Sequence, residues 1–189
     1  SERMVEHYNK KIFMKKINVV DLDNTLIPFD SFRLYAINKI KSGNIGIIKY
    51  SILRKLRLIS AADYKRSVLL HTKLLDNTEE IDRIMVNILN SINQNVLKII
   101  DEHSDNETIN ILCSASPDAY VKKVAKHLHW IGYGSYFNDK DFYHMWGENK
   151  LQFIETRYPS SEYIYNFAIS DTNCDLELLM MFKKYKIVK

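Results

Sequence analysis

The stretch NVVDLDNTLIPFD, Asn18–Asp30, places two aspartates two positions apart directly behind an apolar run. Ile17–Val20 reads as a short buried strand, and Asp21 ends it. A carboxylate at that point is costly to desolvate unless a cation pairs with it or a metal coordinates it. The remaining sequence has to supply that partner.

Composition sets the frame. The chain has 189 residues, 46% of them hydrophobic, enough for one domain or a core with an inserted subdomain. Five glycines and three prolines argue against long flexible linkers and all-β architecture. No apolar run reaches the length of a membrane span, so a cytoplasmic protein is expected. Net charge is +4, and residues 1–16 carry +3 of it. A basic leader or an appended remnant over 1–13 explains that clustering better than a nucleic-acid surface, so no nucleic-acid partner is expected. Cys113 and Cys174 form no disulfide framework or zinc pattern and read as buried, inert thiols.

The next strand of the same kind is Ile109–Cys113, and a third is Phe167–Ser170, with a last one at Ile187–Val188. More than eighty helical residues separate the first two. Helices are predicted over Ser31–Lys41, Ile45–Leu58 and Ala62–His71. One apolar stripe then runs from Ile81 through Ile88 and Val96 to Ile99, behind Thr78 as N-cap. Ser116 reads as the N-cap of a helix with Pro117 at its first position, residues 131–146 as strand and turn, and Lys150 as the start of another helix. Strands alternating with helices give an α/β fold with a mostly parallel sheet. The predicted division is a core of 14–29 and 108–189, with a helical cap of 30–107 inserted.

In such sheets ligands bind beyond the carboxyl ends of the strands. There this sequence gathers Asp21, Asp23 and Thr25, then Ser114, then Lys150, then Asp171 and Asp175. Carboxylates from two strands suit a hard cation such as Mg²⁺. One carboxylate can act as nucleophile and the other as proton shuttle, while a lysine and a hydroxyl hold phosphate oxygens.

DLDNTL, the serine of LCSASP, the lysine of GENK and SDTNCDLELL resemble the four ordered motifs of the haloacid-dehalogenase superfamily. The second acid, Asp23, is similar to its phosphatase branch, and the helical insert resembles phosphoserine-phosphatase-like members. The resemblance spans Ile17–Phe182 and implies a Rossmannoid core with an α-helical cap. It implies Asp21 as nucleophile, Asp23 as general acid and base, and Thr25, Ser114 and Lys150 as phosphate ligands. It implies Asp21, Asp23 through its backbone carbonyl, and Asp171 around Mg²⁺, with Asp175 supporting the metal site. Asp30 and Arg66 fall where relatives acting on phosphoserine hold the amino and carboxylate groups. SDTNCD departs from the commoner GDSxxD form but keeps both acids.

The expected activity is hydrolysis of a small phosphomonoester through an aspartyl-phosphate. Phosphotransfer by the same residues, a lipid-phosphate substrate and a non-catalytic binding role are the alternatives. The last-but-one depends on NIGIIKYSILRKLRLIS, whose apolar stripe Ile45, Ile48, Ile52, Leu56 and Ile59 lies among Lys49, Arg54, Lys55 and Arg57. The stripe is expected to pack on neighbouring helices rather than on a membrane. Oligomeric state is not legible.

Overall fold

A computed structural model describes residues 14–139 and 141–188; the expected leader over 1–13 lies outside them. Six strands form one sheet in the order β4-β3-β2-β1-β5-β6. The central β1 (Lys15–Val20) pairs in parallel with β2 (Thr108–Pro117) and β5 (Tyr163–Ser170). β3 (Ile131–Asn138) and β6 (Lys184–Ile187) extend the parallel ladder, and the short β4 (Asp141–Tyr143) runs antiparallel to β3. The expected mostly parallel α/β sheet is thus present. Its last strand starts at Lys184, earlier than the apolar pair at the chain end suggests, because Lys184–Lys186 are exposed on an edge where alternation is weak.

Helices α1 (Ser31–Lys41), α2 (Ile48–Lys55), α3 (Ala61–Thr72), α4 (Thr78–Leu89) and α5 (Gln94–Glu102) lie between β1 and β2. α3 opens on a capping box: Ser60 Oγ accepts from Asp63 N at 3.0 Å, and Asp63 accepts from Ser60 N in return. Asn77, not Thr78, caps α4. The stripe from Ile81 to Ile99 is two helices rather than one. Asn93 interrupts it, donating its backbone N–H to Leu26 O at 2.8 Å while its side-chain oxygen accepts from Asn95 N in the first turn of α5. A polar residue that bonds local backbone groups competes with helix continuation.

α6 (Asp118–His127) follows β2, α7 (Glu148–Arg157) precedes β5, and α8 (Leu176–Met180) precedes β6. Because strand side chains alternate, Val20 joins a core with Phe32, Val68, Ile88, Val96 and Val121 on one face. Ile17 and Val19 join Ile111, Ile154, Leu178 and Phe182 on the other. Asn18, also buried, is satisfied by a clamp of Asn110, Asn166 and Ser104 at the end of α5. This polar layer fixes the strands at the end opposite the acids.

The stripe on α2 contradicts its expected packing. α2 buries no residue fully, and Ile45, Ile52 and Leu56 are 70%, 52% and 62% exposed. Periodicity identifies an apolar face but not whether a neighbour covers it.

Candidate active site

Asp21 N donates to Ile169 O at 3.0 Å, carrying the β1–β5 ladder one residue past the strand and fixing where the carboxylate emerges. The chain then turns through Asn24 in the left-handed region, a conformation asparagine tolerates. Leu22, Leu26 and Ile27 are fully buried and anchor that turn. Asp21 Oδ1 accepts from Lys150 Nζ at 2.9 Å, and Oδ2 from Thr25 Oγ1 at 3.3 Å.

Lys150 lies in the first turn of α7. Gly147 starts that helix at φ 56°, ψ −127°, a backbone conformation essentially confined to glycine. The same ammonium donates to Asp175 Oδ2 at 2.6 Å, which also accepts from Ser170 Oγ at 2.8 Å. Burial lowers the Lys150 pKa, but Asp21 and Asp175 outweigh it and hold the lysine above its ordinary range. Burial raises Asp21 to about 7, Lys150 opposes, and Asp175 and Asp23 add to the rise. Two carboxylates share one lysine, so the cluster is short of positive charge.

Asp23 belongs to a different network. Its Oδ1 accepts from Ser31 N at 2.8 Å and its Oδ2 from Ser116 Oγ at 2.5 Å. Ser31 Oγ bonds both Ser116 Oγ and Tyr120 OH, at 3.1 and 2.9 Å. Burial raises the Asp23 pKa against the hydrogen bonds from Ser116 and Ser31. Ser116 is therefore not the expected N-cap. β2 runs on through Pro117, and Pro117 caps α6 without a side-chain bond. Gly134 on β3 makes this possible: a Cβ there would lie 2.5 Å from Ser116 O and 2.6 Å from Asp118 N.

Ser114 is buried and accepts from Ser116 N at 3.1 Å, which leaves its own proton free to donate. Asp21, Asp23, Ser114, Lys150, Asp171 and Asp175 all line one cavity of about 770 Å³. The Thr25 hydroxyl is turned to Asp21 and Thr25 does not line it, so it supports the carboxylate rather than facing a ligand. Asp30 lines the cavity too, with one oxygen spent on capping α1 through Arg33 N.

Arg66 does not reach the site. It is exposed on α3, and its neighbour Lys65 enters instead, donating to Ala115 O at 2.7 Å. One residue of helix register turns a side chain by about 100°, and spacing across an insert of variable length does not resolve that. Arg33, Arg54 and Lys55 are the other cations of the cavity wall, all from the helices between β1 and β2. The cavity thus has an acidic floor at the strand ends and a basic roof.

Among the described residues no three His, Cys, Asp or Glu side chains gather to hold a metal. In the expected set Asp23 serves through its backbone carbonyl, which its side-chain bonds do not engage. The side chain of Asp23 is committed to Ser31 and Ser116, and Asp175 Oδ2 to Lys150 and Ser170. Asp21, whose oxygens accept from Lys150 and Thr25, and Asp171 line the cavity beside them. Mg²⁺ is commonly held by one or two carboxylates with waters and substrate phosphate, so the hard oxygens gathered here fit it. The buried Asp175 Oδ1, without a partner among the described residues, leaves one more acceptor nearby. Of the two thiols, Cys113 is buried, with its pKa pushed up to about 12, whereas Cys174 is exposed, against expectation.

His144 adds a pH-sensitive element that no sequence pattern announced. It is 9% exposed, its Nε2 has no partner among the described residues, and its ring stacks on Trp146. Burial, helped by Lys65, Arg54 and Lys150, lowers its pKa from 6.5 to about 4. Between those values the unfolded chain binds the extra proton, so His144 removes stability as pH falls through that window. His144→Phe, which keeps the stacking, is expected to flatten the fall in urea midpoint between pH 6.5 and about 4.

No protein-family model matches the chain, and no curated protein matches it in sequence. Solved structures do match in shape. A protein of unknown function from Bordetella pertussis Tohama I aligns at TM-score 0.68 and 16% identity, over 91% of this chain and 89% of that one. A phosphoserine phosphohydrolase-like protein from Francisella tularensis subsp. tularensis SCHU S4 aligns at TM-score 0.58 and 16% identity, over 91% and 86%. A phosphoserine phosphatase held as a phospho-aspartyl intermediate analogue aligns at 0.55 and 13%, over 91% and 85%. With the six-stranded, mostly parallel sheet and the helices inserted after β1, these matches establish that the chain has the haloacid-dehalogenase-like fold of the phosphoserine phosphatases.

Proposed function

We propose that the chain is a Mg²⁺-dependent phosphomonoester hydrolase in which residues 30–107 cap a core of 14–29 and 108–189. The observation that carries this reading is the Asp21 carboxylate, buried at the end of β1, clamped by Lys150 and Thr25 and opening on the cavity. A fixed carboxylate beside a buried ammonium and a free serine hydroxyl is a nucleophile with a phosphate cradle.

An Asp21 oxygen attacks phosphorus, the ester P–O bond breaks, and the departing oxygen takes the Asp23 proton. The raised Asp23 pKa favours the acid form that this step needs. Asp23 then removes a proton from water, whose oxygen attacks the same phosphorus. The Asp21–phosphate bond breaks, releasing inorganic phosphate and restoring the carboxylate. Lys150 has one N–H left after Asp21 and Asp175, and Ser114 has its O–H; both would donate to the phosphate oxygens. Mg²⁺ held by Asp21 and Asp171 would neutralise phosphate charge and favour ionised Asp21.

The fold likeness to phosphoserine phosphatases supports this reading, but the phosphoserine pocket does not follow from it. Asp30 lines the cavity, whereas Arg66 does not. Lys65, which does line the cavity, is the better anchor for a substrate group beyond the phosphate; burial lowers its pKa while Asp23, Asp30 and Asp21 oppose the fall. Lys65→Met is expected to raise KM roughly tenfold with a smaller change in kcat, as loss of a binding contact does. The proposal is tested by phosphate release from a panel of phosphomonoesters with Mg²⁺ and with a chelator. Chelator-sensitive release supports it; no release from any ester by folded, Mg²⁺-supplied protein contradicts it.

A further inference from the structure

We propose that the α2 edge of the molecule seats on an anionic lipid surface and that the hydrolysed ester is a phosphomonoester lipid drawn from it. The inference rests on the phosphatase reading for the chemistry, but the docking surface stands on its own observations. Ile45, Ile52, Leu56 and Leu58 are 70%, 52%, 62% and 67% exposed within fourteen residues. Lys49, Ile52 and Leu56 follow three- and four-residue steps, so they share one helical face. Water would not hold such a cluster of large aliphatic side chains outward in and around a short helix without another surface to receive them.

Charge specifies that surface. Lys49, Arg54, Lys55 and Arg57 are exposed in the same segment. Among the described residues none of the four has a carboxylate partner. Apolar side chains interleaved with unpaired cations combine the two signals that hold a peripheral helix on anionic lipid.

The patch also continues into the active site. Arg54 and Lys55 line the cavity, as do Ile37 and Trp146, which are 38% and 50% exposed. Phe32, Ala36 and Ile40 of α1 carry the apolar wall inward. A lipid phosphate entering from the docked edge therefore meets cations at the rim, an apolar wall for its chains, and the Lys150 and Ser114 donors at the floor. A small, fully polar ester would leave that wall without a partner.

The test uses the full chain with vesicles of phosphatidylcholine alone, or mixed with phosphatidylglycerol or with phosphatidic acid. The chain is expected to sediment with both anionic mixtures and not with phosphatidylcholine, more weakly as salt rises. Ile52→Asp with Leu56→Asp is expected to cut that binding at least tenfold and to cut phosphate release from phosphatidic acid vesicles in parallel. Release from a water-soluble ester stays unchanged, because neither residue lines the cavity. Failure to sediment with anionic vesicles, or sedimentation indifferent to the double variant, overturns the proposal. So does a solution dimer that the double variant splits, since a second copy would then cover the stripe. Loss of turnover on every ester with vesicle binding intact sinks the phosphatase reading instead.

Discussion

Asp21→Asn is expected to lower phosphate release by roughly 10⁴-fold or more, because the substitution removes the attacking oxygen's charge. The same substitution is expected to leave the fold intact. Asparagine keeps an oxygen for Lys150 and can still exchange a hydrogen bond with Thr25. Its effect on stability carries a sign that tests the electrostatics. Asp21 has a folded pKa raised from 3.8 to about 7 by burial. Between those values the folded chain keeps a proton that the unfolded chain has lost, so stability contributed by Asp21 falls as pH rises. Without added divalent cation, Asp21→Asn should match the wild-type chain near pH 4 and exceed it at and above pH 7. Thermal melts at the two pH values read the difference directly.

Lys150→Met gives the second large effect, and here stability and activity fall together. Lys150 is 3% exposed and is the ammonium between Asp21 and Asp175. Removing one side of a buried ion pair typically costs about 3–5 kcal/mol, since the remaining charge has neither water nor partner. Activity is expected to fall by roughly 10²–10³-fold beyond any folding loss, as when one preorganised donor to a transferring group is removed. Adding Asp175→Asn should restore part of the stability and none of the activity. A double-mutant cycle in urea denaturation measures that coupling.

The acidic floor of the cavity was legible because its residues are tied to strand ends. Ile17–Val20 and Phe167–Ser170 are short buried runs, and the residues just past them emerge at one sheet edge whatever the loops do. Asp21, Asp23, Ser114, Lys150, Asp171 and Asp175 consequently share the cavity as the motif order implied. The roof was not legible, for a geometric reason. Arg66 and Lys65 differ by one helical position, and only the packing of α3 against Ala115 decides which one faces inward. Ser116 was misread because SASP satisfies a capping pattern locally. Its hydroxyl is taken instead by Asp23, 93 residues earlier in the chain, an interaction that no local pattern encodes. The outward stripe of α2 was missed for a third reason: amphipathicity fixes which residues lie together, not which side meets solvent.

The central claim is that phosphate passes through Asp21, and acid-quenched protein mass spectrometry addresses it directly. After brief turnover of the best ester with Mg²⁺, one phosphoryl adduct should appear, labile to hydroxylamine as an acyl phosphate is. Fragmentation should place it on Asp21, and Asp21→Asn should lack it. A turning-over chain whose adduct maps to another residue, or which forms none while Asp21→Asn keeps its activity, would contradict the account.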